Sequence, residues 1–188
     1  MEITMKQLLI LLTLSVAMGS ALLFADEKKQ EKIEGAQITF SLKDLDGKVH
    51  KSADMKDKII VLEWTESGCP AVKPIYKNKK VQEAAAAMKK KGVEWFSVCS
   101  THYNTVAGLK KFKESYKVDH KILQDFDGKL GKKIGAKKTP HCFVIKNGKV
   151  LYQGAFDDRR SGENYVTKAV EEILAGKEVS TPRTRAYG

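Results

Sequence analysis

The chain is poor in cysteine, with only Cys69, Cys99 and Cys142 among its 188 residues. No second cysteine follows Cys69 at the spacing of a C-x-x-C dithiol centre, because Val72 stands at that position. The odd number also leaves at least one thiol that is unpaired within the chain or is paired with another molecule. The sequence therefore lacks a paired redox motif, and any thiol chemistry at Cys69 depends on one cysteine.

Arginine is also scarce, with four residues against thirty lysines, although the net charge is +11. The lysines are spread over every segment, and their densest run, at residues 128–138, contains no aromatic residue. No nucleic-acid-binding motif accompanies them. The charge therefore gives no support for nucleic acid as a partner, and attraction to an anionic surface is the lesser alternative.

No internal repeat or interdomain linker is present, and the length suits one domain with a substantial core. At the N-terminus, Lys6 precedes an apolar segment that reaches Ala25, after which the sequence turns polar. This order is typical of a secretory signal, although residues 8–25 could instead form an uncleaved membrane anchor. No cysteine lies in or just after this segment, which argues against a lipid anchor on cysteine.

We therefore expect an exported protein, periplasmic or otherwise extracytoplasmic, that has the membrane as a partner only if the N-terminal segment stays uncleaved. The expected organisation is a signal peptide at 1–25, a flexible lead-in at 26–35, one domain at 36–178 and an irregular tail at 179–188.

Within the domain, the apolar pattern alternates between strand and helix. It predicts a hairpin around Asp46-Gly47, a buried strand at 59–64 and a helix at 70–91 that Pro74 should bend or restart near its first turn. A second buried strand at 93–99, a helix at 103–116, a short extension at 121–124 and a helical turn at 130–134 follow. The domain ends with a second hairpin around Asn147-Gly148 and a last helix at 163–175. Strands joined through helices run parallel, whereas hairpin strands run antiparallel. The order therefore predicts an α/β fold with one mixed sheet, helices on both faces and an N-terminal β-hairpin.

Cys69 lies at the turn between the strand at 59–64 and the helix that Pro70 opens. At a helix N-terminus, free N–H groups and the positive end of the helix dipole favour the thiolate, which is the nucleophilic form of cysteine. Lys73 should add to this effect, whereas Glu66 would oppose it if it lies close. Cys69 is therefore the candidate catalytic residue, and a purely structural cysteine is the alternative.

In order and spacing, these residues resemble the thioredoxin-like fold, and more narrowly the redoxin branch related to alkyl hydroperoxide reductase and thiol-specific antioxidant proteins (AhpC/TSA). The resemblance covers roughly residues 36–180 and is carried by Trp64-x4-Cys69-Pro70, Thr139-Pro140, the hairpin at 143–154 and Gly154-x-x-Asp157-Asp158. It implies an exported thiol-disulfide oxidoreductase or antioxidant redoxin that needs no cofactor. Its partner would be a thiol or disulfide protein, or a peroxide.

The resemblance also implies roles for particular residues. In this family a cis-proline lies beside the reactive cysteine, so Pro140 is expected across from Cys69, where the Thr-Pro peptide aligns an incoming polypeptide or thiol. The residues expected to shape the site around Cys69 are Trp64, Gly68, Pro70, Lys73, Thr139 and Pro140.

Two departures from the family patterns matter for the chemistry. The peroxiredoxin pattern P-x-x-x-[ST]-x-x-C would need Pro and Thr or Ser where this chain has Leu62 and Glu66, so the peroxide-binding set is absent. In the exported subgroup that reads C-P-x-V-K around this cysteine, the tail usually ends in a Gly-Cys pair, whereas this sequence stops at Gly188.

The sequence therefore does not identify the thiol that resolves an oxidised Cys69, and several sources are possible. Cys99 ends one predicted strand and Cys142 begins another, at the sheet edge that carries active sites in α/β folds. Either could resolve Cys69, and either could equally be a small buried hydrophobic residue. A partner thiol and a cysteine beyond Gly188 are the other possibilities.

Two other classes of function remain as alternatives. The domain could be a non-catalytic binding module that keeps the fold and docks a partner without electron exchange. Less expected is a copper or zinc carrier that uses Cys69 with His102 and His141, since thiolate and imidazole suit these metals. Asp157 and Asp158 are expected to cap or brace a loop, although the resemblance leaves a role in the site open.

Overall fold

The computed structural model describes residues 37–188. The predicted signal peptide and the predicted lead-in both lie outside this range. The strands are β1 (Ser41–Asp44), β2 (Val49–Lys51), β3 (Ile59–Trp64), β4 (Glu94–Cys99), β5 (Lys121–Gln124), β6 (His141–Lys146) and β7 (Lys149–Gly154). The helices are α1 (Val72–Lys77), α2 (Lys80–Lys90), α3 (Val106–Ser115), α4 (Lys129–Ile134) and α5 (Tyr165–Leu174), with one 3₁₀ turn at Ser52–Met55.

The strands form one mixed sheet in the order β2-β1-β5-β4-β3-β6-β7. The central strands β3, β4 and β5 run parallel, because a helical crossover joins each to the next. On either side of them the chain turns antiparallel, with the β1–β2 hairpin against β5 and the β6–β7 hairpin against β3. The predicted fold class, a mixed sheet with helices, is confirmed.

Strand β3 lies in the interior of the sheet, and all six of its residues are buried. Successive side chains alternate between the two faces. Val61 belongs to the larger core, which includes apolar residues of α1, α2, α3 and α5. Trp64 instead packs edge-on against Phe143, with its indole nitrogen close to Gly131 of α4. The continuous apolar run therefore reflects helices that cover both faces of the sheet.

The helix predicted over 70–91 is divided into α1 and α2 by Asn78 and Lys79, and the division does not lie near Pro74 as predicted. Pro74 lies within the first turn of α1, where its missing N–H costs no helical hydrogen bond. The interruption comes instead at Lys79, which adopts the left-handed conformation with φ of 58°. The helix is thus interrupted after Lys77, downstream of the proline.

Two other predicted elements differ in detail. Residues 121–124, expected only as a short extension, form the parallel strand β5 between β4 and β1. Helix α3 begins later than predicted, at Val106, because the Thr105 side chain accepts a hydrogen bond from the Gly108 N–H and caps the helix. Within residues 37–188, no helix is long and apolar enough to cross a membrane.

The last residues, 182–188, form what we call the C-terminal segment. They return along the edge strand β7, where the Gln153 N–H donates to the Pro182 carbonyl at 2.9 Å and the Thr184 N–H donates to the Gln153 carbonyl at 3.1 Å. Gly154 makes this approach possible, since a Cβ on it would lie 2.2 Å from Thr184 Oγ1. The segment therefore packs against the domain although it contains no helix or strand.

Candidate active site

Cys69 lies between the end of β3 and the start of α1, at the predicted position. Its carbonyl accepts hydrogen bonds from the backbone N–H groups of Val72 and Lys73, both at 3.1 Å. The i to i+4 bond from Lys73 makes Cys69 the start of the first helical turn. The side chain is partly buried, and Cys69 Sγ donates to the Thr139 carbonyl oxygen at 3.2 Å. The Lys73 side chain is exposed.

Thr139 and Pro140 reach this cysteine through strand pairing. Strand β6 runs antiparallel to β3 with His141 opposite Trp64, so the residues that precede β6 meet the residues that follow β3. The Thr139–Pro140 peptide bond is cis, and Pro140 is buried. The pair thus lies beside Cys69, as the family resemblance implies.

Cys69 opens onto a cleft of about 730 Å³. A chain of hydrogen bonds shapes one wall: Trp64 Nε1 donates to Ser100 Oγ at 2.9 Å, and Ser100 Oγ donates to Asp125 Oδ2 at 2.6 Å. The buried Asp125 carboxylate also accepts from the N–H groups of Leu130 and Gly131 at the start of α4. This network holds the indole of Trp64 in a fixed orientation in the cleft.

The turn before Cys69 is tied to the neighbouring loop. Glu66 Oε1 accepts from the Gly68 N–H at 2.7 Å and from Asn104 Nδ2 at 3.3 Å, and Ser67 Oγ donates to Asn104 Oδ1 at 2.8 Å. The Glu66 carboxylate is therefore engaged in holding the turn. Gly68 and Pro70 are exposed and line the cleft beside Cys69.

A buried carboxyl group in β3, which the sequence reasoning missed, lies under the start of α1. Glu63 Oε2 accepts from Tyr76 Oη at 2.6 Å and from Ser97 Oγ at 2.7 Å. Burial raises the pKa of Glu63 to about 7. The same Ser97 hydroxyl contacts His120 Nε2 at 2.8 Å, and burial lowers the pKa of His120 to about 3. The signal for this cluster was one charged residue within an otherwise apolar strand.

Through Tyr76, this cluster attaches α1 to the sheet. Tyr76 belongs to α1, which follows directly on the turn at Cys69, and its hydroxyl reaches residues of both β3 and β4. Its ring packs against Phe112 and Tyr116. Tyr76 therefore fastens the short α1 onto the sheet, and in this way fixes the position of Cys69.

Cys99 and Cys142 are fully buried and are not among the residues that line the cleft. All three cysteines are free thiols. Burial raises the pKa of the Cys99 thiol, and burial together with Glu63 and Asp157 raises that of Cys142 well above its usual range. Both buried thiols are therefore held in the protonated form, the less reactive one.

The two histidines that the sequence associated with Cys69 lie in different surroundings. His102 is exposed and packs against Tyr103, whereas His141 is buried against Phe143. The Lys137 N–H donates to His141 Nδ1, and burial lowers the pKa of this imidazole to about 4. Across residues 37–188, no group of three or more His, Cys, Asp or Glu side chains is arranged to hold a metal ion.

The two aspartates after β7 make contacts within and between loops. The buried Asp157 carboxylate accepts from Lys80 Nζ at 2.7 Å and from Tyr187 Oη. Asp158 accepts from the Arg160 N–H and from Ser161 Oγ, both at 2.9 Å. Asp157 therefore connects the start of α2 to the C-terminal segment.

This sheet, with a cysteine at a helix start beside a cis Thr-Pro pair, defines the thioredoxin-like class. The structure has a TM-score of 0.72 to a hypothetical protein of Sinorhizobium meliloti, at 23% identity over 81% of this chain and 89% of that chain. It has a TM-score of 0.59 to the thioredoxin domain of a thiol-disulfide oxidoreductase of Bacteroides vulgatus, at 18% identity over 75% and 96% of the two chains.

Within that class, the chain belongs to the AhpC/TSA family, whose model matches residues 33–153. It is also 31% identical over 152 residues to the thiol-disulfide oxidoreductase ResA of Bacillus thuringiensis, and equally to that of Bacillus anthracis. Each alignment covers 78% of this chain and 84% of ResA. The chain is thus related to thioredoxin-like oxidoreductases.

Proposed function

We propose that this protein is an exported thiol-disulfide oxidoreductase in which Cys69 is the nucleophile. The observation that carries the proposal is the position of a partly exposed Cys69 Sγ at the start of α1, 3.2 Å from the Thr139 carbonyl and open to a cleft. Relatives named as thiol-disulfide oxidoreductases support the same chemistry.

The reaction is disulfide exchange. The Cys69 thiolate attacks one sulfur of a partner disulfide; a Cys69–sulfur bond forms as the partner's S–S bond breaks, and the leaving sulfur departs as a thiolate that takes up a proton. A second thiol then attacks the partner-derived sulfur of this mixed disulfide. Its new S–S bond forms as Cys69 leaves as a thiolate, ready for another cycle.

A disulfide suits this site better than a peroxide does. Glu66 is engaged in the turn and offers no hydroxyl at the Thr or Ser position of the peroxiredoxin pattern, and the buried Leu62 stands at the position of its proline. We therefore propose a disulfide-containing polypeptide as the partner.

The second thiol is proposed to come from a partner molecule. Val72 occupies the place of a second motif cysteine and is fully buried. Cys99 and Cys142 are fully buried and outside the residues that line the cleft, so a substrate-bound Cys69 has no direct route to them. A partner thiol can instead approach through the cleft.

The remaining residues position Cys69 and the partner. The Thr139 carbonyl lies next to the sulfur and is followed by the buried Pro140, Trp64 and Pro70 line the cleft, and Gly68 closes the turn. The Lys73 N–H helps to set the helical turn that starts at Cys69. The metal-carrier alternative gains no support, because His102 and His141 do not join Cys69 in a ligand cluster.

The decisive variant is Cys69→Ser, tested for catalysed reduction of insulin disulfides by dithiothreitol. We expect at least a hundredfold loss of the catalysed rate, because a hydroxyl cannot form the mixed disulfide. Cys99→Ala is the matched control and should retain most of the rate. A Cys69→Ser protein that keeps the wild-type rate would reject the proposal and favour the non-catalytic binding module.

A further inference from the structure

The C-terminal segment reaches from β7 to the residue beside Cys69. Thr184 holds its beginning, since Thr184 Oγ1 contacts Tyr152 Oη at 2.6 Å and accepts from the Ala155 N–H at 2.8 Å. Further along, Tyr187 Oη donates to the buried Asp157. The segment is therefore fixed by specific polar contacts over its length.

Its last described residue lies directly against the active-site backbone. A Cβ built on Gly188, whose φ is 132°, would lie only 2.1 Å from the Thr139 carbonyl oxygen. This is the same oxygen that accepts the Cys69 thiol hydrogen at 3.2 Å. Lys138 Nζ donates to the Gly188 carbonyl at 3.1 Å and holds the main chain in this place. The segment thus covers a main-chain group next to the nucleophile.

We propose that the C-terminal segment occupies the binding position of the polypeptide partner beside Thr139. Residues 187–188 narrow the approach to Cys69 from this side, and a polypeptide must displace them to dock there. The inference rests on the proposed function, since it takes Cys69 as the nucleophile. The sequence of residues 187–188 therefore indicates which residues a partner polypeptide would place in the same position. Because no Cβ fits over the Thr139 carbonyl, the site accepts an extended polypeptide with glycine at that point and an aromatic residue before it.

The contacts of Tyr187 explain the aromatic preference. The ring is partly buried, its hydroxyl donates to Asp157, and the guanidinium of Arg159 lies 5.0 Å from the ring centroid. An aromatic side chain that enters from a partner would meet the same carboxylate and the same cation. Lys138 is exposed and is available to any main-chain carbonyl that replaces that of Gly188.

The first test uses the full chain and measures the alkylation rate of Cys69 by iodoacetamide, followed by mass spectrometry of the peptide that contains Cys69. Tyr187→Phe removes the hydrogen bond to Asp157, and we expect alkylation to become about fivefold faster. Lys138→Ala releases the Gly188 carbonyl at an exposed position and should also accelerate it. Tyr116→Phe is the matched control: it removes the hydroxyl oxygen of a tyrosine whose ring packs on Phe112, and it should leave the alkylation rate unchanged.

The second test adds a synthetic peptide to the Tyr187→Phe variant. An amidated peptide with the sequence of residues 183–188 should slow Cys69 alkylation, whereas the same peptide with valine in place of its glycine should not. Wild-type alkylation rates in both the Tyr187→Phe and Lys138→Ala variants would overturn the inference, and so would equal protection by the two peptides.

These outcomes separate the inference from the proposed function. If Cys69→Ser abolishes insulin reduction while the alkylation rates do not respond, the oxidoreductase proposal stands and the displacement proposal fails. If the variants accelerate alkylation while Cys69→Ser keeps full activity, the segment does narrow the approach to Cys69 but the proposed chemistry is wrong.

Discussion

At the scale of single residues, Glu63 contributes a pH dependence of stability that one substitution can isolate. Burial raises its pKa to about 7 from an ordinary value of 4.5. Between these pH values the folded protein holds a proton that the unfolded chain has released. The resulting stabilisation is fully present below pH 4.5 and is lost as the pH rises through about 7.

The variant Glu63→Gln should remove this dependence, because an amide keeps the shape of the neutral carboxyl group and does not titrate. The free energy of unfolding of the wild type should fall by at most about 3 kcal/mol between pH 4.5 and pH 8 relative to the variant. Urea denaturation at several pH values measures both curves, with the exposed-pair variant Glu94→Gln as control. Parallel curves for wild type and Glu63→Gln would contradict the assignment.

The residues of the site differ in how far the sequence reveals them. Cys69, Thr139 and Pro140 stand in a recognisable order, and the structure brings them together. Glu63 was not predicted because Ile59–Trp64 is otherwise apolar and was interpreted as one buried strand. A charged residue in a buried strand nevertheless needs hydrogen-bond or ion-pair partners. The Ser100–Asp125 contact depends on which loops meet, and local sequence does not encode that.

At the scale of elements, the separation of α1 from α2 is the main surprise. A proline is the usual sign of a helix break, yet Pro74 lies in a first turn that does not need its N–H. The break follows instead from the left-handed Lys79, for which the sequence offers no glycine as a marker. Strand β5 was also not predicted as a strand. Its four residues are too few to give a clear pattern, and they form a strand because they pair with β1 on one side and β4 on the other.

The conformation of Lys79 leads to a test of this element. Left-handed φ values are unfavourable for residues with a Cβ and cost glycine nothing, so Lys79→Gly should raise the free energy of unfolding by up to about 1 kcal/mol. Lys77→Gly is the matched control within α1 and should lower it by about 0.5–1 kcal/mol. Urea denaturation measures both. Equal destabilisation by the two glycines would show that Lys79 is not in the left-handed conformation in solution.

At the scale of the whole molecule, the order of elements was enough to predict the mixed sheet, because connection type decides strand direction. The course of the C-terminal segment was not predictable in this way. Residues 182–188 carry no apolar period, and their place is set by single contacts such as those of Thr184 and Tyr187. Such contacts depend on the tertiary positions of the sheet edge and of Thr139, which the local sequence does not encode.

Export is a property of the whole chain and has a direct test. Expressed with its own N-terminus in a Gram-negative host, the protein should be found in the periplasmic fraction with a mass that lacks residues 1–25, as expected for a cleaved secretory signal. A chain that starts after residue 25 is the control and should stay in the cytosol. Full-length protein in the membrane fraction would favour the anchor alternative, and full-length protein in the cytosol would contradict export.

The position of the C-terminal segment on β7 also bears on association between molecules. The main-chain groups of an edge strand can pair with a strand from another copy, which is a common start of aggregation. Here both the N–H and the carbonyl of Gln153 on β7 are already taken, by Pro182 and Thr184, and Pro182 itself has no N–H to offer outward. The same segment that places Gly188 against Thr139 therefore also protects the sheet edge through Pro182 and Thr184. A partner that displaced the whole segment would leave the edge of β7 unpaired for as long as it stays bound.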